Sequence, residues 1–409
     1  MSCDANLKAL SVTDALSKLL ATVPAFDATE KVELGSALGR VLADNLVSGI
    51  NVPPADNSAM DGYAVNTRSL EANDYRLSVS QRVAAGYTPE PLAPNSAARI
   101  FTGAEVPEGA DAVVMQEQCT LHGNMVHLPT SVKAGQNIRR GGQDIQSGAE
   151  ILSQGIRLQP QHLGLIASIG IRHVPVFKRL KVAVLSTGDE LLEPGEPASP
   201  GKIYNSNRYA LSGLIGALGM EFVDLGIVAD TAQATEAALR QAASEADCII
   251  TSGGVSVGEE DHVKPAIERL GKLDLWKVAI KPGKPIALGE VLGVPLIGLP
   301  GNPVSAFVTF CLFARPFLLK YHGVKNILPR AGRFKADFEK NNRSIRTEYL
   351  RAQLVTDESG DTLVRIFENQ SSGVLTSTCW AHGFAILPPE ATINRGDNIE
   401  FLHYAELLN

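Results

Sequence analysis

The sequence contains no paired cysteine motif. Its five cysteines, Cys3, Cys119, Cys248, Cys311 and Cys379, are scattered over 409 residues. That spacing excludes a zinc ribbon or a thioredoxin-type redox pair and fits a reducing compartment. The eight histidines include no i, i+4 pair, so the His-Glu-x-x-His metalloprotease site is excluded. A Gly-x-Gly-x-x-Gly dinucleotide fingerprint is missing as well. Positive charge is not in excess. The net charge of −7 argues against nucleic acid or an anionic membrane as partner, because both need clustered Lys and Arg. The most apolar stretch, Val304 to Leu319, is interrupted by Arg315 and Pro316 and falls short of the roughly 20 residues of a membrane span. Met1 to Asn6 shows no basic run leading into an apolar one, so no secretory signal and a cytoplasmic location are expected.

What is present is ordinary globular composition, 44% hydrophobic and 20% charged, in a chain longer than the roughly 250–300 residues one core usually supports. Several domains are therefore expected. Ser11-Val12-Thr13-Asp14 reads as a capping box opening a helix through Leu20. Leu34, Ala37, Leu38, Val41 and Leu42 repeat at helical spacing and predict a second helix. With a further helix between Pro160 and Gly170, residues 1–50 and 147–180 are expected to form a helical platform used for dimerisation. Residues 51–146 alternate short β-like runs with Gly and Pro clusters, which predicts an inserted, mostly β domain.

From 181 to 327 the pattern is α/β. Strands at Val182–Ser186, Glu221–Val228, Cys248–Ser252 and Pro295–Leu299 alternate with helices at Arg208–Leu218, Ala232–Glu245, Val263–Leu270 and Val304–Tyr321. That predicts a mostly parallel sheet covered by helices. Residues 328–409 are strand-rich and predict a C-terminal β-barrel or sandwich. The fold class expected is thus multidomain, α/β at the centre and α+β over the whole chain.

In open parallel sheets ligands bind beyond the carboxyl ends of the strands. Here those ends read Ser186-Thr187-Gly188-Asp189-Glu190, Val228-Ala229-Asp230, Thr251-Ser252-Gly253-Gly254 running on to Glu259-Glu260-Asp261, and Leu299-Pro300-Gly301-Asn302-Pro303. Glycines let backbone N–H groups approach a phosphate, although no Gly-Lys-Ser/Thr ends the loop as in a Walker A motif. A plain strand-to-helix turn explains Thr251 to Gly258 about equally well when that loop is taken alone. Consecutive acids beside a phosphate loop make sense with Mg²⁺ between them. Lys277, Lys281 and Lys284 follow on a Pro/Gly-punctuated run. An extended strand would point Lys277 and Lys281 to one face, where they could bind an oxyanion, the alternative being a solvated basic surface. Asn302 suits a helix cap and Pro303 the first helical position.

On Asp56 to Ala64, Ser186 to Glu190, Gly201-Lys202-Ile203-Tyr204-Asn205-Ser206-Asn207, Thr251 to Asp261, Lys281 to Pro285 and Leu299 to Pro303, the sequence resembles the molybdopterin molybdenumtransferase family, which includes the gephyrin E domain. The resemblance spans essentially the whole chain. It implies a homodimer, and a reaction in which adenylyl-molybdopterin and molybdate give molybdenum cofactor and AMP with Mg²⁺ assistance. The family positions found here are Asp61, Thr102, Asp144, Glu190, Asp230, Asp261, Lys277, Lys281, Pro300, Pro303, Arg351 and Ser372. The resemblance implies Glu190, Asp230 and Asp261 as Mg²⁺ ligands, and Asp61, Thr102 and Asp144 as residues closing over the site from a dimer partner. His382 departs from the asparagine of the family pattern. A molybdopterin adenylyltransferase is among the partners the resemblance admits. Two rival functions stay open: that adenylyltransferase activity itself, against which the additional β domains argue, and a gephyrin-like scaffold, which leaves the acidic cluster without a purpose.

Overall fold

A computed structural model describes residues 9–254, 262–283 and 285–408. Helix α1 (Val12–Ala21) begins as its sequence suggests: the Ser11 hydroxyl accepts the backbone N–H of Asp14 at 3.0 Å, satisfying a donor that the first helical turn leaves open. Its apolar face buries Ala15 and Leu19 in the core cluster that also holds Leu180, Val182 and Leu318. Burial of the leucine side chain alone contributes about 1.5–3 kcal/mol. The helix thereby belongs to the central core, not to a separate platform.

The helix predicted over Leu34 to Leu42 does not form. Only Leu34–Ser36 makes a short 3₁₀ turn, and Gly39 has φ 74°. Val41 and Leu42 instead form β-bridges to Arg157 and Val176. Ala37 and Leu42 are buried with Leu152, Ile166 and Val176, so the apolar spacing reflects one shared core reached by an irregular chain. Around it, Thr29–Glu33 pairs with His173–Phe177 and Leu46–Val47 with Glu150–Leu152. Helix α2 (Pro160–Ser168) is the helical part of this mixed unit.

The inserted segment forms a six-stranded sheet from Gly62–Val65, Arg76–Val83, Ser96–Ile100, Ala112–Met115, Thr120–His122 and Met125–His127. Gly62 is required by close approach, because a Cβ there would lie 1.9 Å from the carbonyl oxygen of Val114.

The strands of the central domain are β1 (Lys181–Thr187), β2 (Glu221–Val228), β3 (Cys248–Ser252), β4 (Gly271–Lys277), β5 (Pro285–Val291) and β6 (Val294–Leu299), in the order β2-β1-β3-β6-β5-β4. The first four in that order are parallel, and β5 runs antiparallel to both its neighbours. Helices α3 (Ser206–Ala217), α4 (Ala232–Glu245), α5 (Val263–Leu270) and α6 (Pro303–Tyr321) accompany the sheet. Strands β4 and β5 were not anticipated. β4 mixes Lys272, Asp274 and Lys277 with its apolar residues and is half exposed, as an edge strand must be.

Helix α6 is long and apolar enough to cross a membrane, but most of it is buried inside the protein. Phe310, Phe313, Phe317 and Leu318 fill the core. Its middle, Phe310–Ala314, is π-helical. Pro316 has no N–H to offer the carbonyl of Leu312, and the Arg315 N–H reaches back to the Phe310 carbonyl instead.

At the C-terminus, Gly332–Ala336, Thr347–Thr356, Thr362–Ile366, Gly383–Leu387 and Asn398–His403 close into a five-stranded barrel filled by Phe338, Leu350, Val364 and Phe401. A two-residue strand of the central domain, Ile280–Lys281, pairs in parallel with Thr347 and Glu348. That strand is the point where the barrel meets the predicted site.

Candidate active site at the strand ends

The loops after β1, β3 and β6 converge. Gly253 and Gly254 take φ 92° and 68°, values that L side chains adopt only under strain. A Cβ on Gly254 would lie 2.8 Å from the Thr187 hydroxyl, and one on Gly301 would lie 3.8 Å from the Gly253 Cα. Asn207, in the first turn of α3, ties two of these loops together: its Nδ2 donates to Ser252 Oγ and to the Gly301 carbonyl, each at 2.7 Å. Asn205 caps the same helix, accepting from the Arg208 N–H at 3.2 Å. It is buried, and its Nδ2 has no partner. Gly283 leans on the start of α6, since a Cβ there would lie 2.9 Å from Thr309 Cγ2 and 3.9 Å from Pro300 Cγ. Small residues therefore let these three loops pack closely, with the Gly253 N–H bonded to the Leu299 carbonyl at 3.1 Å, and glycine loops of this kind are where backbone amides can meet an anion.

Acids flank the rim. The Asp230 N–H points at Asp189 Oδ1 at 3.5 Å, and the Lys202 ammonium donates to the Asp189 carbonyl. The Glu190 carboxylate folds over Gly188, 2.4 Å from where a Cβ would stand. Asp261, with Val255 to Glu260, lies outside the described residues, as does Lys284. Among the described residues no three His, Cys, Asp or Glu side chains gather as a metal centre.

Two expectations change. Lys277 and Lys281 do not share one strand: Lys277 ends β4, whereas Lys281 belongs to the strand paired with the barrel. Between them the chain switches partners, with the Leu10 N–H bonded to the Lys277 carbonyl and the Ala279 N–H to the Leu10 carbonyl, both at 2.8 Å. Lys281 faces Glu348 with Nζ 3.4 Å from Oε1. Asn302 does not cap α6 with its side chain, although Pro303 opens that helix as predicted. Asn302 is exposed, so its amide is open to solvent at the helix start.

From the barrel, the Ser372 carbonyl accepts the Val304 N–H at 3.1 Å, which places this loop against the first turn of α6. Arg351 is buried, with Nη2 on the Ser371 carbonyl (3.3 Å) and Nε on Ser377 Oγ (3.1 Å). Burial pulls its guanidinium down to about 10, and it stays charged at neutral pH. Within one chain Arg351 holds the loop that carries Ser372.

On the inserted domain, Asp61 Oδ1 accepts both the Thr102 N–H and the Thr102 hydroxyl at 2.8 Å. These bonds hold its carboxyl below the usual range. Asp144 is exposed and lines a concavity of about 470 Å³ with Gly142, Gln146 and Leu165. The bonds of Asp61 and Thr102 join these residues to each other, not to the strand-end loops.

Comparison with known proteins decides the family. Residues 10–170 match the MoeA N-terminal region (domain I and II), 183–320 a probable molybdopterin binding domain, and 332–404 the MoeA C-terminal region (domain IV). A molybdopterin molybdenumtransferase of Haemophilus influenzae is 40% identical over 98% of this chain and 100% of its own length. The chain belongs to the molybdopterin molybdenumtransferase family. A Nostoc member is 35% identical over 95% of this chain and 92% of its own. The solved molybdopterin biosynthesis MoeA protein of Pyrococcus horikoshii superposes with a TM-score of 0.82 at 29% identity, covering 97% of this chain and 100% of that one.

In this member of the molybdopterin molybdenumtransferase family, the sequence marks Lys202 and Asn207 only as part of the Gly201 to Asn207 motif, with no role assigned, and does not mark Glu348. With a helix expected from Arg208, Asn207 reads as its cap; the helix in fact begins at Ser206 behind the Asn205 cap, which leaves the Asn207 amide for the loops. Glu348 carried no signal, because its partner is 67 residues away. His382 Nδ1 accepts the Leu354 N–H at 3.2 Å. Burial pushes the thiols of Cys248 and Cys311 up to about 12, so these two are poor nucleophiles.

Proposed function

We propose that the chain transfers molybdenum from molybdate to adenylyl-molybdopterin, releasing AMP. The observation that carries this reading is the junction of the Thr187, Gly253 and Gly301 loops, fastened by Asn207, with the strand-end acids next to Thr187 in the chain and the segment after Lys281 approaching Pro300 at Gly283. In this reading the glycine loops meet the adenylyl phosphate with backbone N–H groups other than that of Gly253, which is bonded to the Leu299 carbonyl. Lys281 and Lys277 supply positive charge for the molybdate oxyanion and for charge developing on the leaving phosphate. Pro300 and Pro303 stiffen the loop that presents Asn302 and the α6 N-terminus.

The strand-end acids fit a divalent cation by donor chemistry: Asp189 and Asp230 adjoin through the Asp230 N–H, and carboxylate oxygens suit Mg²⁺. Glu190 and Asp230, with Asp261, would hold it, and bound there it would polarise the phosphoanhydride of the substrate. Asp61, Thr102 and Asp144 complete the site in this reading from a second copy of the chain, in the cytoplasm. The Asp61–Thr102 pair supports that role, because it presents a fixed carboxylate and hydroxyl at an open surface.

The test is AMP release from adenylyl-molybdopterin with and without molybdate and Mg²⁺. Release that requires both is expected. Absence of release, or formation of adenylylated pterin from ATP and molybdopterin by this protein alone, would overturn the reading. A monomeric variant with full activity would remove the second copy from it.

A further inference from the structure

We infer that Glu348, on the rim of the C-terminal barrel, is a positioning residue that sets where the Lys281 ammonium stands; this rests on the reading that Lys281 faces substrate. Glu348 is 2% exposed and sits between two lysines, with Lys281 Nζ 3.4 Å from Oε1 and Lys340 Nζ 3.3 Å from Oε2. The placement is built into the backbone. Lys281 and Glu348 are register partners in the parallel pair that joins the two domains, and the Thr347 N–H donates to the Ala279 carbonyl at 2.9 Å. On its other side the same segment bonds Leu10. The lysine backbone is therefore fixed from both sides, and the buried carboxylate fixes its tip.

Stability does not account for this carboxylate. Oε2 finds no hydrogen-bond partner of good geometry, and buried ion pairs with incomplete bonding are often replaceable by apolar residues at no loss. The charge arithmetic does account for it. Two ammoniums and one carboxylate leave a net single positive charge, and Lys281 keeps 42% of its side-chain surface open. One donor is spent on Glu348 and the side chain stays partly open to solvent, which suits an oxyanion whose oxygens must be met at fixed points.

The test is a double-mutant cycle in the full chain, reading AMP release from adenylyl-molybdopterin in the presence of molybdate. Glu348→Gln, Lys281→Ala and the double variant are compared, each with its thermal melt. Glu348→Gln is expected to lower kcat about tenfold, the range of one charge-assisted bond. The KM for molybdate should not rise, since removing a carboxylate leaves the surroundings more positive. The double variant should be no worse than Lys281→Ala alone, because Glu348 acts only through the lysine. Losses that multiply, or an unchanged kcat in Glu348→Gln, would overturn the inference with its premise intact. An active Lys281→Ala would overturn the premise instead. Should Glu348→Gln fail to fold, Glu348→Asp, which keeps the charge on a shorter arm, carries the same cycle.

Discussion

Replacing Asn207 separates the architecture of the rim from its chemistry. The Asn207 amide makes two 2.7 Å bonds, to Ser252 Oγ and to the Gly301 carbonyl, and a lost internal hydrogen bond costs about 0.5–1.5 kcal/mol. Asn207→Ala is therefore expected to destabilise the loops by about 1–3 kcal/mol in all, seen as a melting midpoint lowered by about 2–4 °C per kcal/mol. Activity should fall further than the folded fraction does, because Ser252 and Gly301 lose the link that fixes their spacing. Asn207→Asp sharpens the test. Its carboxylate can accept from the Ser252 hydroxyl, yet it opposes the Gly301 carbonyl, acceptor against acceptor, and adds negative charge where a phosphate is to bind. The aspartate variant should thus melt no lower than the alanine variant while releasing AMP more slowly. Wild-type AMP release by Asn207→Asp would refute the assignment of this rim to an anion.

Two further outcomes follow from the same geometry. Gly254→Ala puts a Cβ 2.4 Å from Val263 Cγ2 at φ 68°, so it should cost more than the roughly 1–2 kcal/mol of a left-handed L-residue alone. Gly123→Ala, at φ 60° with nothing within 4 Å, isolates that backbone part, and equal melting losses in the two variants would contradict the packing described. His322 is buried, its Nε2 2.8 Å from the Lys178 carbonyl and its Nδ1 without a partner. Burial holds it at about 4, against an ordinary 6.5. The unfolded chain then binds the extra proton first, so stability is full above pH 6.5 and is lost as pH falls toward 4, by at most about 3 kcal/mol. Urea unfolding of the wild type and His322→Gln at pH 7 and pH 4 checks this, and identical pH dependence in both would remove His322 as the cause.

The central fold was legible because its strands and helices carry clean local signals. α4 and α5 begin and end at the residues the sequence suggests, and β1, β3 and β6 are continuous apolar runs between polar loops. Reading was poorer where tertiary pairing overrides local pattern. Leu34, Ala37, Val41 and Leu42 satisfy helical spacing, yet Gly39 turns the chain and the last two find β partners in distant segments. Within the site, loop glycines and acids announced themselves by composition at strand ends. The lysines did not, because Lys277 and Lys281 look like one extended run until Leu10 and Thr347 are seen to pair with the residues between and beside them.

That interleaving bears on what the barrel is for. A domain that merely stabilised its neighbour could attach through apolar surface alone. Here it reaches the rim along two separate routes, each ending at a polar group of the site. One runs through Glu348 to Lys281. The other runs from buried Arg351 through the Ser371 carbonyl to the neighbouring Ser372 carbonyl, which bonds Val304 beside the Pro300 to Pro303 loop. A buried guanidinium is costly unless its donors are used, and those of Arg351 are spent on Ser377, Tyr349 and Ser371. A substitution inside the barrel can then reach the rim without touching it, because a displacement of the 371–372 loop is passed to α6 by a backbone hydrogen bond that no side-chain change at Val304 can replace.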